Sequence, residues 1–133
     1  MTYTLPTDAE EWVAAWRERI NDREQFAAAA EGFDAAFRFE IRDDGDPLAF
    51  HVDIEDGTCT AASLAEADGG YDFALRGPFD AWSALLSGAL DVSEAVMDGT
   101  FDIEGNTMTL LRRQDAVAEM VAAAQNVDTE FAR

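Results

Sequence analysis

Apolar residues recur first every three or four positions, then every second position, then every three or four again. Trp12, Val13, Trp16 and Ile20 fall at helical spacing, which predicts an amphipathic helix with that stripe buried. Thr7, followed three positions later by Glu10, supplies a capping box for its start. The stretch FAAAAEGF (26–33) either extends this helix or ends it at Gly32, and the N-terminal helix is set at 7–30. From Phe37 the period falls to two. Phe37, Phe39 and Ile41 alternate with Arg38, Glu40 and Arg42, and Leu48, Phe50, Val52 and Ile54 alternate with Ala49, His51, Asp53 and Glu55. DDGDP between these strands is a turn, and Asp56-Gly57 is a strong two-residue hairpin signal. TCTAASLA is a weaker strand, and YDFALRG alternates again with Tyr71, Phe73 and Leu75 on one face.

Gly77 and Pro78 open a second helical region, since proline fits a first helical turn. Phe79, Trp82, Leu85 and Leu86 form its apolar face and Gly88 ends it. Asp91 with Glu94 caps a short helix through Met97, Gly99 breaks it, and TFDIE is a last strand with Phe101 and Ile103 inward. Asn106 caps the next helix. Its apolar set at 108, 110 and 111 is out of phase with 117, 120, 121 and 124, so a bend falls at 113–115 and a final helix reaches about Gln125. Residues 126–133 read as a loose tail. Period-two strands with one polar face predict a five-stranded, mainly antiparallel sheet, wet on one side. The helices must cover the other side, giving one α+β two-layer domain over residues 1–133.

Composition agrees with a packed domain. The 133 residues are 48% apolar, with nine Phe and three Trp, unlike a disordered acidic tail. No apolar run approaches the ~20 residues of a membrane span, and MTYTLPTDAEEW lacks the basic start and apolar stretch of a secretory signal. A single cysteine, Cys59, rules out an internal disulfide, so a reduced, cytoplasmic setting is expected. Charge changes the picture most. Twenty-eight acids face nine bases, a net charge of −19, and every base is arginine. Such a chain repels itself in dilute salt, and molar salt shortens the screening length to about 3 Å. The lysine-free, Asp- and Ala-rich composition therefore points to halophilic adaptation. A rival, an acidic module that mimics nucleic acid or binds a basic partner, fits less well because the acids are scattered. Binding to nucleic acid itself is not expected without a basic stripe.

Chemistry is sparse. His51 and Asp53 share a strand face, where acid–base work is conceivable but a solvent-facing pair is the plainer reading. Cys59 has no second histidine to activate it. No zinc-ligand spacing, phosphate-cradling loop or calcium loop is present, so no metal, cofactor or catalytic residue is expected. Arg112 and Arg113 sit at the predicted bend beside an apolar set and could hold an anionic head group, or simply pair with nearby acids.

The stretch LLSGALDVSEAVMDG followed by TFDIEGNTMTLL resembles the closing half of the sterol carrier protein 2-like (lipid-transfer) domain. The matching positions are Gly88, Asp91, Ala95, Gly99, Phe101, Ile103, Gly105, Met108 and Leu111. Upstream, FHVDIEDG and YDFALRGPFDAWSALLSG are similar to that family's second strand with its hairpin and to its strand-then-helix, so the resemblance covers roughly 33–112. Ala89 and Thr100 stand where the family has lysine, and Val92 where it has proline. The resemblance implies a hydrophobic tunnel between sheet and helices, binding a fatty acid, acyl-CoA, isoprenoid or sterol-like lipid without catalysis. Its walls would be Phe39, Phe50, Val52, Phe73, Phe101 and Ile103 from the sheet and Trp82, Leu86, Met97, Met108 and Leu111 from the helices. Periodicity alone favours plain core for these residues; the resemblance alone turns the reading to a cavity. The alternative is an accessory or interaction domain of an enzyme system with a filled core, and a homodimer or enzyme partner stays open.

Overall fold

The computed structural model describes residues 2–5, 7–42, 48–64 and 70–131. The expected turn at 43–47, most of EADGG and the last two residues lie outside that range. In chain order the elements are β1 (Tyr3–Leu5), α1 (Ala9–Asn21), α2 (Glu24–Ala29), β2 (Asp34–Arg42), β3 (Leu48–Glu55), β4 (Thr58–Leu64), β5 (Phe73–Pro78), α3 (Phe79–Leu86), α4 (Val92–Met97), β6 (Asp102–Glu104), α5 (Thr107–Arg112), α6 (Gln114–Gln125) and β7 (Thr129–Phe131).

The main sheet runs β4-β3-β2-β5-β6. Its β2–β5 pairing is parallel and the other three are antiparallel, so the sheet is mixed. The β3–β4 hairpin turns at Asp56 (φ 45°) and Gly57 (φ 79°), the paired positive φ values that an Asp-Gly turn supplies at low cost. Alternation sets the register. Phe39 of β2 lies opposite Phe50 of β3 and Leu75 of β5, and Phe37 lies opposite Val52 and Phe73. These inward residues are buried with Trp12, Val13, Trp16 and Ile20 of α1, Phe79, Trp82 and Leu85 of α3, and Met120, Val121 and Ala124 of α6. The helical stripes thus meet the apolar sheet face, as a two-layer α+β fold requires.

Four features depart from the sequence reading. The expected helix over 7–30 is two helices, α1 and α2, broken at Asp22–Arg23. The capping box is absent: Asp8 occupies the N-cap without a side-chain cap, and its carboxylate accepts instead from the Thr4 amide (2.9 Å). Residues 126–131 are not a loose tail, because β7 pairs in parallel with β1 and Thr129 Oγ1 accepts from Trp12 Nε1 at 2.7 Å. Tyr71 does not join Phe73 and Leu75. It precedes β5, its hydroxyl donating to Glu104 and accepting from Arg76.

The outer sheet face is charged but not simply wet. Arg76 reaches Glu40 at 3.1 Å and Glu104 at 2.7 Å, and Arg38 approaches Glu40 at 3.5 Å. Arg38 is only 9% exposed, and Ala49 and Ala74 on the same face are buried. Small neighbours let long side chains lie flat over their alkyl stems, so the charges pair across strands. The Arg76 guanidinium and the Tyr71 hydroxyl hold the Glu104 carboxyl below the usual carboxylate range.

Candidate functional site

The helical layer meets the sheet at one wholly apolar junction. Trp12 and Trp16 come from α1, Phe39, Ile41 and Phe50 from the sheet, Trp82, Leu85 and Leu86 from α3, and Val121 and Ala124 from α6. All three tryptophans of the chain stand here. Their rings continue an aromatic row across the layer: Phe50–Trp12 at 5.1 Å, Trp12–Trp16 at 5.2 Å, Trp16–Phe39 at 5.1 Å, Phe39–Trp82 at 6.1 Å and Trp82–Phe101 at 5.0 Å between centroids. Tilted and edge-on contacts of this kind match the aromatic quadrupoles. Each indole N–H finds an acceptor away from the junction. Trp12 donates to Thr129, Trp16 to the Met120 carbonyl (2.9 Å) and Trp82 to the Glu40 carbonyl (2.9 Å). The ring faces are therefore left to line the space between layers.

That space is small. The void is about 10 Å³, close to the roughly 10–15 Å³ that one water needs. At this junction the space is too small for an alkyl chain, and the two layers interlock. Leu86 is the half-buried member of the lining; the other nine residues are buried. Next to it, Gln125 Nε2 donates to the Leu85 carbonyl at 2.9 Å and ties α6 to the end of α3. The seam between α3 and α6 is thus where the junction lies nearest to solvent.

Of the eleven expected wall residues, Phe39, Phe50, Trp82 and Leu86 meet at this junction. Val52, Phe73 and Phe101 are buried elsewhere in the same core. Phe73 stacks on Phe37 at 5.3 Å, and Phe101 covers Gly77, where an added Cβ would strike the ring. Ile103 is half-buried against the core. Met97, Met108 and Leu111 are 88%, 64% and 67% exposed and do not reach this junction. Helical spacing identifies a stripe but not whether a neighbour covers it. On α5 it is Leu110 that packs against the core. The remaining lining residues fall outside the expected set. Trp12 and Trp16 carry only the signal of a buried helical stripe, and Val121 and Ala124 that of a small residue three positions after a branched one.

The two arginines part company. Arg113 is anchored: its guanidinium lies over the Phe33 ring (5.2 Å) and donates to the Glu31 carbonyl (3.0 Å). Arg112 is exposed. Neither lines the junction. His51 Nε2 and Asp53 Oδ1 stand 2.9 Å apart, half-exposed on the outer face. Cys59 is fully buried, and burial pushes its thiol up to about 11, so it is protonated at neutral pH and a poor nucleophile. Among the described residues no three His, Cys, Asp or Glu side chains gather to hold a metal, and no helix is long and apolar enough to cross a membrane.

Helices over one face of a five-stranded mixed sheet match the fold of sterol carrier protein 2. A crystal structure of sterol carrier protein 2 superposes with a TM-score of 0.84 at 25% identity, covering 89% of this chain and 96% of that one. A solution structure from Thermus thermophilus, described as possibly a sterol carrier protein, gives 0.81 at 24% identity over 91% and 89%. A sec-alkyl sulfatase shares the fold at 0.51 and 16% identity, over 66% of this chain but 13% of its own. No curated protein sequence matches. Residues 14–118 match the family model described as the SCP-2 sterol transfer family, and the chain belongs to that family.

Proposed function

We propose that this protein binds a hydrophobic ligand, a fatty acid, acyl-CoA, isoprenoid or sterol-like lipid, at the junction of Trp12, Trp16, Trp82 and α6, without catalysing a reaction on it. The observation that carries this reading is the junction itself. Ten apolar side chains from four sides converge there with no charged group among them, and the family relationship supplies lipid binding as the fitting role. Apolar space of this kind stays dry, and once enlarged to the size of a hydrocarbon it accepts an apolar guest.

Uptake requires the layers to part, because the closed void holds no alkyl chain. Burying ten methylenes yields roughly 8 kcal/mol gross, which has to offset about 1 kcal/mol for the Gln125–Leu85 hydrogen bond, the packing between α3 and α6 forfeited on parting and the cost of ordering the ligand. Separating α3 from α6 moves helix against helix and leaves the β-ladder untouched.

The three tryptophans make the test direct. A brominated fatty acid seated at the junction quenches indoles within contact range, so titration should give saturable quenching that an excess of the unbrominated acid reverses. Absence of saturable quenching, together with no lipid in organic extracts of the purified protein, would refute lipid binding. It would favour the second reading, an accessory domain of an enzyme system. That reading draws on the recurrence of the fold as a minor part of a sec-alkyl sulfatase chain.

A further inference from the structure

Both helices that border the seam end there, α3 at Leu86 and α6 at Gln125. A helix C-terminus carries about half a negative elementary charge, and its last carbonyls have no partner within the helix. The seam therefore brings two electronegative ends together. The Leu85 carbonyl accepts from the Gly88 amide at 3.2 Å and, with its second lone pair, from Gln125 Nε2 at 2.9 Å. No cation on either helix, or on the segment after it, offsets these oxygens. Residues 77–111, which carry α3, α4 and α5, contain no Arg, Lys or His, and neither do residues 114–131, which carry α6 and β7. Arg112 and Arg113 stand at the opposite end of α6, roughly 18 Å from Gln125 at 1.5 Å per residue. The junction lining itself is wholly apolar, so a polar head group on a seated chain has to stay at the rim, and the seam is where that rim meets solvent.

We propose that Gln125 and the Leu85 carbonyl form the head-group site, and that it selects an uncharged head that donates a hydrogen bond, a lipid alcohol, over a carboxylate or a coenzyme A thioester. The inference rests on lipid binding at the junction. When α3 and α6 part, the Leu85 carbonyl loses its Gln125 donor, and a buried acceptor left without its bond is costly. A hydroxyl at the end of a seated chain donates to that carbonyl and accepts from the freed Gln125 amide, so two bonds replace the one broken. An ionised carboxylate is acceptor-only. It can take the Gln125 amide, but it leaves the Leu85 carbonyl unpaired and sets its charge against two helix C-termini. The phosphates of coenzyme A would bring more negative charge to the same place.

The test is indole quenching by three chains that differ only in their heads: 12-bromododecan-1-ol, methyl 12-bromododecanoate and 12-bromododecanoate, at pH 8 in 1 M sodium chloride. There the screening length of about 3 Å removes the long-range repulsion of a chain of net charge −19 and leaves the groups that touch the head. The alcohol should bind about fivefold tighter than the ester, which has no donor, and the ester about threefold tighter than the acid. Gln125 is exposed, so Gln125→Lys is accommodated, and its ammonium can still donate to the Leu85 carbonyl. That variant should reverse the order of acid and ester and leave the alcohol within about twofold of its wild-type affinity. An acid that equals or exceeds the alcohol, or an order that Gln125→Lys does not change, overturns this proposal while lipid binding stands. No saturable quenching by any of the three overturns both.

Discussion

Leu85→Ala is the most informative single change, because it separates a packed junction from one built to open. Leu85 is fully buried and lines the void between Trp82, Val121 and Ala124. Removing its branch forfeits transfer free energy and leaves a cavity. Together these place the loss within the 2–5 kcal/mol seen for Leu→Ala in cores, about 3 kcal/mol. The existing void of about 10 Å³ adds only ~0.2 kcal/mol at about 24 cal/mol per Å³, so the wild-type junction is nearly as stable as a filled one. The truncation, however, creates room that the wild type gains only by parting α3 from α6. A fatty acid should therefore bind the variant more tightly. At a ligand concentration 100 times Kd it should return about 2.7 kcal/mol of the lost stability. The assay is urea unfolding with and without oleate, in molar salt. Met97→Ala is the control, and at 88% exposure it should change stability by less than about 0.5 kcal/mol. A Leu85→Ala loss below about 1 kcal/mol, under the range for a packed leucine, would show that the layers do not interlock as described. A full loss with no gain from oleate would show that the junction is core and not a binding site.

Gln125→Ala removes the bond from α6 to the Leu85 carbonyl, and stopped-flow quenching should show uptake of a brominated fatty acid about fivefold faster, equivalent to about 1 kcal/mol; an unchanged rate would place entry elsewhere. Cys59, with its thiol raised to about 11 by burial, should resist alkylation at pH 8 in the native protein and react at once in denaturant. The same shift favours the protonated thiol in the folded state, so its stabilising effect is complete below the unfolded pKa near 9 and is lost as pH rises towards 11, an alkaline limb that Cys59→Ala should flatten. The net charge of −19 without lysine predicts that far-UV circular dichroism weakens as salt is withdrawn, and an unchanged spectrum in dilute buffer would speak against salt adaptation.

Much of the fold was legible because its signals are local. Alternation placed β2 and β3, Asp56-Gly57 gave the hairpin, and the phase break after Leu111 located the bend that the structure puts at Arg113, between α5 and α6. What escaped depends on partners distant in sequence. β1 and β7 are three residues each and exist because the two ends of the chain pair with one another, which no window along the chain reveals. Tyr71 continued a perfect alternation yet left the strand, since its hydroxyl has Glu104 and Arg76 to bind on the far face.

The candidate site shows the same limit more sharply. Every residue expected in the wall was apolar, but helical phase fixes only the angle around a helix axis. Whether that angle meets a neighbour depends on helix length and placement. α3 runs beneath α6, so Trp82, Leu85 and Leu86 reach the junction. α5 has six residues, long enough to seat Leu110 against the core and too short to bury the opposite side, which leaves Met108 and Leu111 in water. Much of the junction comes instead from α1 and α6: the α1 tryptophans, Trp12 and Trp16, combine a large apolar face with an N–H that a hydroxyl or carbonyl holds at the rim, and α6 adds Val121 and Ala124. An indole bonded at its edge cannot rotate freely into the void, and the alanine opposite it, Ala124, cannot fill it. This pairing of a fixed large ring with a small residue on a facing helix leaves the small void between the layers, and it can be read only after the two helices are known to face each other.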